Sequence, residues 1–119
     1  MDELREVTVT PDRYVTYRYA GASGDFNPIH LDGEFARSVD LPGHILHGLW
    51  TMAQVARVHG EAAGDPLALK SLSVQFRGLG VPEKEITITS KPRGDGEFDT
   101  EAVQNGNKLV RRGRAVLKL

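Results

Sequence analysis

Two dipeptides, Asp95-Gly96 and Asn105-Gly106, constrain this chain most. Each sits between stretches of period-two, partly β-branched sequence. Asp-Gly and Asn-Gly are the preferred pairs for two-residue hairpin turns, because both central residues need positive φ. Two such turns in succession predict an antiparallel meander of strands over Lys84–Arg93, Glu97–Gln104 and Lys108–Leu119. Ile86 and Ile88 alternate in the first of these. Leu67, Leu69, Leu72, Val74 and Phe76 predict a further long strand, with an irregularity near Lys70-Ser71. Arg5–Thr10 is a short β-branched stretch and reads as another strand.

The preceding half of the chain has a different period. Thr10 as N-cap, Pro11 at the first helical position and Asp12 in the first turn predict a helix start. Tyr14, Val15, Tyr17 and Ala20 would face a core from that helix, which ends near Gly21–Gly24. Asp32 is placed to cap a short helix over Gly33–Ser38. The longest helical stretch runs from His47 or Gly48 to His59, with Gly60 as its stop. Such a helix spans about 20 Å. Leu49, Met52, Ala53, Val55 and Ala56 make it apolar enough to expect enclosure by other structure. His59 reads as a C-terminal residue favoured by the helix dipole. One apolar helix and an antiparallel sheet of about five strands is an α+β domain, and 119 residues fit a single domain over 1–119.

Charge and composition narrow the function. The net charge is −1, and Arg111-Arg112-Gly113-Arg114 is too short a cluster to indicate nucleic acid. The chain has no cysteine, which excludes disulfides and thiolate metal sites. No apolar run reaches the roughly 18–20 residues that span a bilayer. Met1-Asp2-Glu3-Leu4-Arg5 is acidic and lacks the apolar core of a signal peptide. The expectation is a cytoplasmic protein with no membrane and no nucleic-acid partner.

The chemistry concentrates in Tyr19-Ala20-Gly21-Ala22-Ser23-Gly24-Asp25-Phe26-Asn27-Pro28-Ile29-His30. An acid, an amide and an imidazole fall within six residues, in a segment that Gly24 and Pro28 bend out of regular structure. A loop that aims Asp25 and His30 at one point can move protons on and off a bound water. Asn27 reads as ordering that loop through backbone hydrogen bonds. Ser23 reads as a cap or a substrate-facing hydroxyl, with no base to make it a nucleophile. His47 and Gly48 form a second candidate, at the start of the long helix. There the first N–H groups lack internal partners, and Gly48 has no side chain to block an approaching oxyanion. Trp50 and Met52 read as core or as acyl-pocket lining. His44 and His47 have metal-pair spacing, but no carboxylate or cysteine nearby completes a set, so no metal is expected.

These motifs resemble a known family. The run from Tyr19 to His30, continued to Ala36, is similar to the hydratase-2 signature of MaoC-like dehydratases. Leu41-Pro42-Gly43-His44-Ile45-Leu46-His47-Gly48-Leu49-Trp50-Thr51-Met52 resembles the entry into the same family's central helix. The likeness runs from about residue 12 to the C-terminus and is strongest to small actinobacterial 3-hydroxyacyl-thioester dehydratases. It implies a single hotdog fold, an antiparallel sheet wrapped around a long central helix. It implies (R)-specific hydration of trans-2-enoyl thioesters, or dehydration of (3R)-hydroxyacyl thioesters, within fatty-acid metabolism. Asp25 and His30 match the catalytic pair, and Gly48 matches the glycine whose N–H holds the thioester carbonyl. Ser23, Asn27, His47, Trp50 and Met52 are then the expected substrate contacts. No cofactor is implied; coenzyme A or an acyl-carrier phosphopantetheine enters as part of the substrate. The expected assembly is a homodimer or higher homo-oligomer, or a heterodimer with a second hotdog chain. The alternatives are a hotdog acyl-CoA thioesterase and an acyl-thioester-binding subunit of a heteromeric dehydratase. One departure stands out: where many relatives carry a Pro-Gly-Asp-type turn, this chain has Gly78-Leu79-Gly80-Val81-Pro82-Glu83-Lys84.

Overall fold

The computed structural model describes residues 5–118. Its order is β1 (Arg5–Val9), α1 (Val15–Ser23), a 3-10 turn (Pro28–His30), α2 (Gly33–Ser38), α3 (Gly48–Ala63), β2 (Leu69–Phe76), β3 (Ile86–Gly94), β4 (Glu97–Gln104) and β5 (Asn107–Leu117). The strands form one antiparallel sheet in the order β1-β3-β4-β5-β2. The acidic segment 1–4 and the expected end of the last strand at Leu119 lie outside the described residues.

Both hairpin turns form as their sequence dictates. Asp95 and Gly96 have φ of 57° and 76°, and Asn105 and Gly106 have 51° and 78°, the doubly positive pair that matches strand twist. The expected irregularity in β2 is an extra residue at Lys70, since Leu69 pairs with Leu117 while Ser71 pairs with Val116. A second bulge had no clear sequence signal. Gln75 pairs with Arg111 but Ser73 with Arg114, so β5 carries an extra residue there, and Arg112 takes a φ of 49°.

α3 lies against β5, β2 and β4. Val55 and Val58 from the helix meet Ile86, Ile88, Ala102, Leu109 and Val110 from the sheet, with Leu46 and Val15 closing the cluster. Each large apolar side chain buried in this way contributes about 1.5–3 kcal/mol relative to exposure.

Several sequence expectations are corrected. α1 begins at Val15, not near Pro11. Asp12 Oδ1 instead accepts the Tyr14 N–H at 2.7 Å, forming a turn that delays the helix. Tyr14 and Tyr17 are exposed, while Thr16 takes the buried position beside Val15 and Ala20. α3 runs through Gly60 to Ala63 and stops at Gly64, whose φ is 74°. Gly60 is instead a packing position: a Cβ there would lie 3.3 Å from the Pro66 Cα. His59 is therefore interior and fully buried, not a terminal cap. Leu67 precedes β2 and is exposed. The sheet covers only one side of α3, so Leu49 and Ala53 remain exposed where enclosure was expected.

Candidate active site

The loop after α1 is a chain of short polar turns. Gly24 closes the helix with a φ of 80° and donates to the Ala20 carbonyl at 2.8 Å. Ser23 Oγ donates to the Tyr19 carbonyl and accepts the Asp25 N–H. Asp25 Oδ1 accepts the Asn27 N–H at 3.2 Å, and Asn27 Oδ1 accepts the Ile29 N–H at 3.2 Å. Pro28 then opens the 3-10 turn that ends in His30. Side chains here replace a regular backbone ladder, which explains the density of Ser, Asp and Asn. Downstream, Asp32 Oδ1 caps α2 by accepting from Glu34 and Phe35, as expected.

This local geometry turns Asp25 and His30 toward one another. Asp25 Oδ2 and His30 Nε2 are 3.8 Å apart. Asp25 is half exposed, whereas His30 is buried. His30 Nδ1 lies 2.9 Å from the Ile45 carbonyl oxygen. A carbonyl only accepts, so Nδ1 carries the proton and the Nε2 of the neutral ring presents its lone pair toward Asp25. The Ile45 N–H donates back to the Ile29 carbonyl at 2.9 Å, tying the two loops together.

The second motif arrives at the same place. His47 is buried, and its ring stacks on His30 with centroids 3.9 Å apart and planes inclined by 22°. Its Nε2 lies 3.0 Å from the Asp25 backbone carbonyl oxygen. Gly48 follows as the first residue of α3, and no side chain caps that helix start. Its N–H thus stands at the positive end of the helix dipole without an intrahelical acceptor.

A pocket of about 240 Å³ adjoins both motifs. His30, Gly48, Thr51, Phe76, Leu79 and Leu109 are among its walls. A larger cavity, about 660 Å³, lies instead between the C-terminal half of α3 and Leu69. Its Arg57 and Glu61 pair with one another at 2.8 Å, and we place no chemistry there.

Of the sequence candidates, the structure brings together Asp25, His30, His47 and Gly48. Ser23 and Asn27 spend their side chains on the loop itself. Trp50 packs against the main core cluster, and neither it nor Met52 lines the pocket at Gly48. Sequence reasoning missed Phe76, Leu79 and Leu109 as walls and Ile45 as the acceptor for His30. The glycines at 78 and 80 carried a signal. A Cβ on Gly78 would sit 2.7 Å from the Lys108 carbonyl oxygen, and one on Gly80 would sit 2.9 Å from Leu46 Cδ1. That close approach folds the segment against β5 and forms the wall.

Asp25, His30 and His47 each offer a metal-ligand atom, all within 4.8 Å of one another. His44, paired with His47 in the sequence reading, is not in this set. Both imidazoles of the set already use one nitrogen on a backbone carbonyl.

Comparison with known proteins bears on the family and the fold. Residues 1–112 match the family described as the MaoC like domain. The peroxisomal enoyl-CoA hydratase 2 of Arabidopsis thaliana is 41% identical over 110 residues, covering 91% of this chain and 35% of that protein. The crystal structure of a MaoC-like dehydratase from Phytophthora capsici superimposes with a TM-score of 0.90 at 28% identity, over 99% of this chain and 41% of the other. The (R)-hydratase from A. caviae shares the fold, with a TM-score of 0.85 at 21% identity over 99% and 95% of the two chains. The fold is thus the expected α+β hotdog. The chain spans about a third of the Arabidopsis protein and far less of the fungal fatty acid synthase subunits it also matches.

Proposed function

The chain belongs to the MaoC-like domain family, and from that premise we propose that it is a hydro-lyase acting on acyl thioesters. It adds water to trans-2-enoyl thioesters in the (R)-specific sense, or removes water from (3R)-hydroxyacyl thioesters. The observation that carries this reading is the 3.8 Å gap between Asp25 Oδ2 and His30 Nε2 beside a pocket that also contains Gly48. A water can bridge a gap of that size, hydrogen-bonded to both groups.

In the hydration direction, the Gly48 N–H donates to the thioester carbonyl oxygen. That draws electron density from C3 and makes it electrophilic. The bridging water attacks C3, forming the C3–O bond while one O–H bond breaks and its proton passes to the acid–base pair. The π electrons move toward the carbonyl oxygen as an enolate, which the Gly48 N–H and the α3 dipole stabilise. The pair then returns a proton to C2, collapsing the enolate. His30 is suited to the exchange because Nδ1 is anchored to Ile45, leaving Nε2 as the single working nitrogen. Every proton is supplied by water, Asp25 or His30, so the sequence of steps calls for no resident cofactor.

The substrate is an acyl thioester of coenzyme A or an acyl carrier, and the 240 Å³ pocket favours short chains. A second copy of this chain, or a different hotdog chain, completes the assembly. The test is incubation with crotonyl-CoA. Loss of the enoyl absorbance without free thiol, giving (3R)-hydroxybutyryl-CoA, is the expected result. Release of thiol instead means hydrolysis and replaces this reading with a thioesterase.

A further inference from the structure

We infer that His47 is a positioning residue that fixes the acid–base pair relative to the oxyanion donor, and not a substrate contact. The inference rests on the hydratase reading above. His47 touches each part of the site by a different route. Its Nε2 carries the proton, because the Asp25 carbonyl 3.0 Å away can only accept. That bond holds the backbone from which the Asp25 carboxylate projects. Its ring lies on the His30 ring at 3.9 Å, with Tyr19 at 4.8 Å as a further aromatic neighbour. The stack covers one face of the His30 ring and restrains it from tilting toward that side. Finally, the peptide plane between residues 47 and 48 carries the Gly48 N–H. The His47 carbonyl accepts from Trp50 at 3.1 Å and Thr51 at 3.4 Å, which sets that plane at the helix start.

One side chain and its own peptide therefore join the carboxylate loop, the imidazole and the N–H donor. The three are otherwise held by separate segments: residues 25–27, 28–30 and the first turn of α3. Burial separates this role from binding. His47 is only 2% exposed and is absent from the walls of the 240 Å³ pocket. Its Nδ1 is buried and has no partner among the described residues. A residue kept only for stability gains nothing from such an unpaired acceptor. Misplacing reacting groups by about 1 Å can cost on the order of 100-fold in rate, so losses in turnover without losses in binding are the signature of this role.

Two variants separate the contacts. His47→Phe keeps an aromatic ring against His30 but loses the donor to Asp25. His47→Gln supplies an amide N–H near the position of Nε2 but loses the stack. Crotonyl-CoA hydration is measured for each, with butyryl-CoA affinity by calorimetry and the thermal midpoint alongside. We expect kcat to fall about 100-fold in His47→Phe and about 10-fold in His47→Gln. KM and butyryl-CoA Kd should stay within about twofold, since the binding pocket is unaltered. A loss confined to KM and Kd makes His47 a substrate contact and overturns the inference. So does normal kcat in both variants, or in His47→Gln alone should His47→Phe fail to fold. Absence of hydration by the unmodified protein overturns the functional reading itself, a result distinct from either.

Discussion

A Cβ placed on Gly48 lies 3.2 Å from both Cδ1 and Cε1 of Phe76, so the absence of a side chain at the start of α3 is what lets this ring rest there. Gly48→Ala forces the Phe76 ring, a wall of the pocket, to shift by a few tenths of an ångström. We predict a fall of about 10–100-fold in crotonyl-CoA turnover. The thermal midpoint should change little, because alanine is the better helix former. Adding Phe76→Leu to Gly48→Ala should restore part of the rate. A double variant no faster than the single one rules out the steric cause.

Asp25→Asn keeps an oxygen to accept the Asn27 N–H, so the loop should persist while the carboxylate is lost. His30→Ala removes the working nitrogen and the contact to Ile45. Each variant should lose about 10²–10⁴-fold in hydration, with circular dichroism spectra like that of the parent. Near-normal turnover in either one sinks the assignment of the pair.

Asn27 separates loop order from substrate contact. Its Oδ1 caps the 3-10 turn through Ile29. Asn27→Ala should cost about 1 kcal/mol in urea unfolding and lower kcat, whereas Asn27→Asp, which retains the cap, should keep both. A raised KM with unchanged stability in Asn27→Ala would instead place the amide on the substrate.

The buried His59 predicts a pH dependence of stability. Val55 O accepts from Nδ1 at 2.8 Å, and in the neutral ring Nε2 accepts from Ser90 Oγ at 2.9 Å. Burial holds its pKa below the ordinary histidine value of 6.5, with the Val55 hydrogen bond opposing in part. The unfolded chain therefore binds the proton first as pH falls. Stability from this group is complete above about pH 6.5 and is lost progressively as pH drops toward the folded-state pKa. Thermal midpoints at pH 7.5 and 5.5 should differ more in the parent than in His59→Leu. Equal differences would remove His59 as the cause.

The sequence disclosed the fold where one local rule dominates. The two Asx-Gly turns and the Asp32 cap required only short-range chemistry, and they form as read. The helix ends were harder, because a glycine can either stop a helix or admit a neighbour. Gly60 does the second and Gly64 the first, and only the placement of Pro66 distinguishes them. Within the site, Asp25, His30, His47 and Gly48 were legible because residue type and local bend declare them. Trp50 read equally as core or as pocket lining, because helical periodicity alone does not say which side of α3 meets the core; it packs against the core. Ile45 was invisible for a different reason: its backbone, not its side chain, contacts His30.

The hairpins also differ in how much they support. Gln104, just before the Asn105-Gly106 turn, bonds to both backbone groups of Val81 and to the Lys84 carbonyl. Leu109, just after it, forms a wall of the pocket. β3 and β4, the strands joined at Asp95-Gly96, place no residue in that wall. Insertion tolerance should therefore be lopsided: a reporter peptide spliced at Asp95-Gly96 leaves the pocket's frame untouched. One extra residue at Asn105-Gly106 slips the register and turns alternate side chains to the opposite face, dismantling from a distance a site whose own residues are all intact.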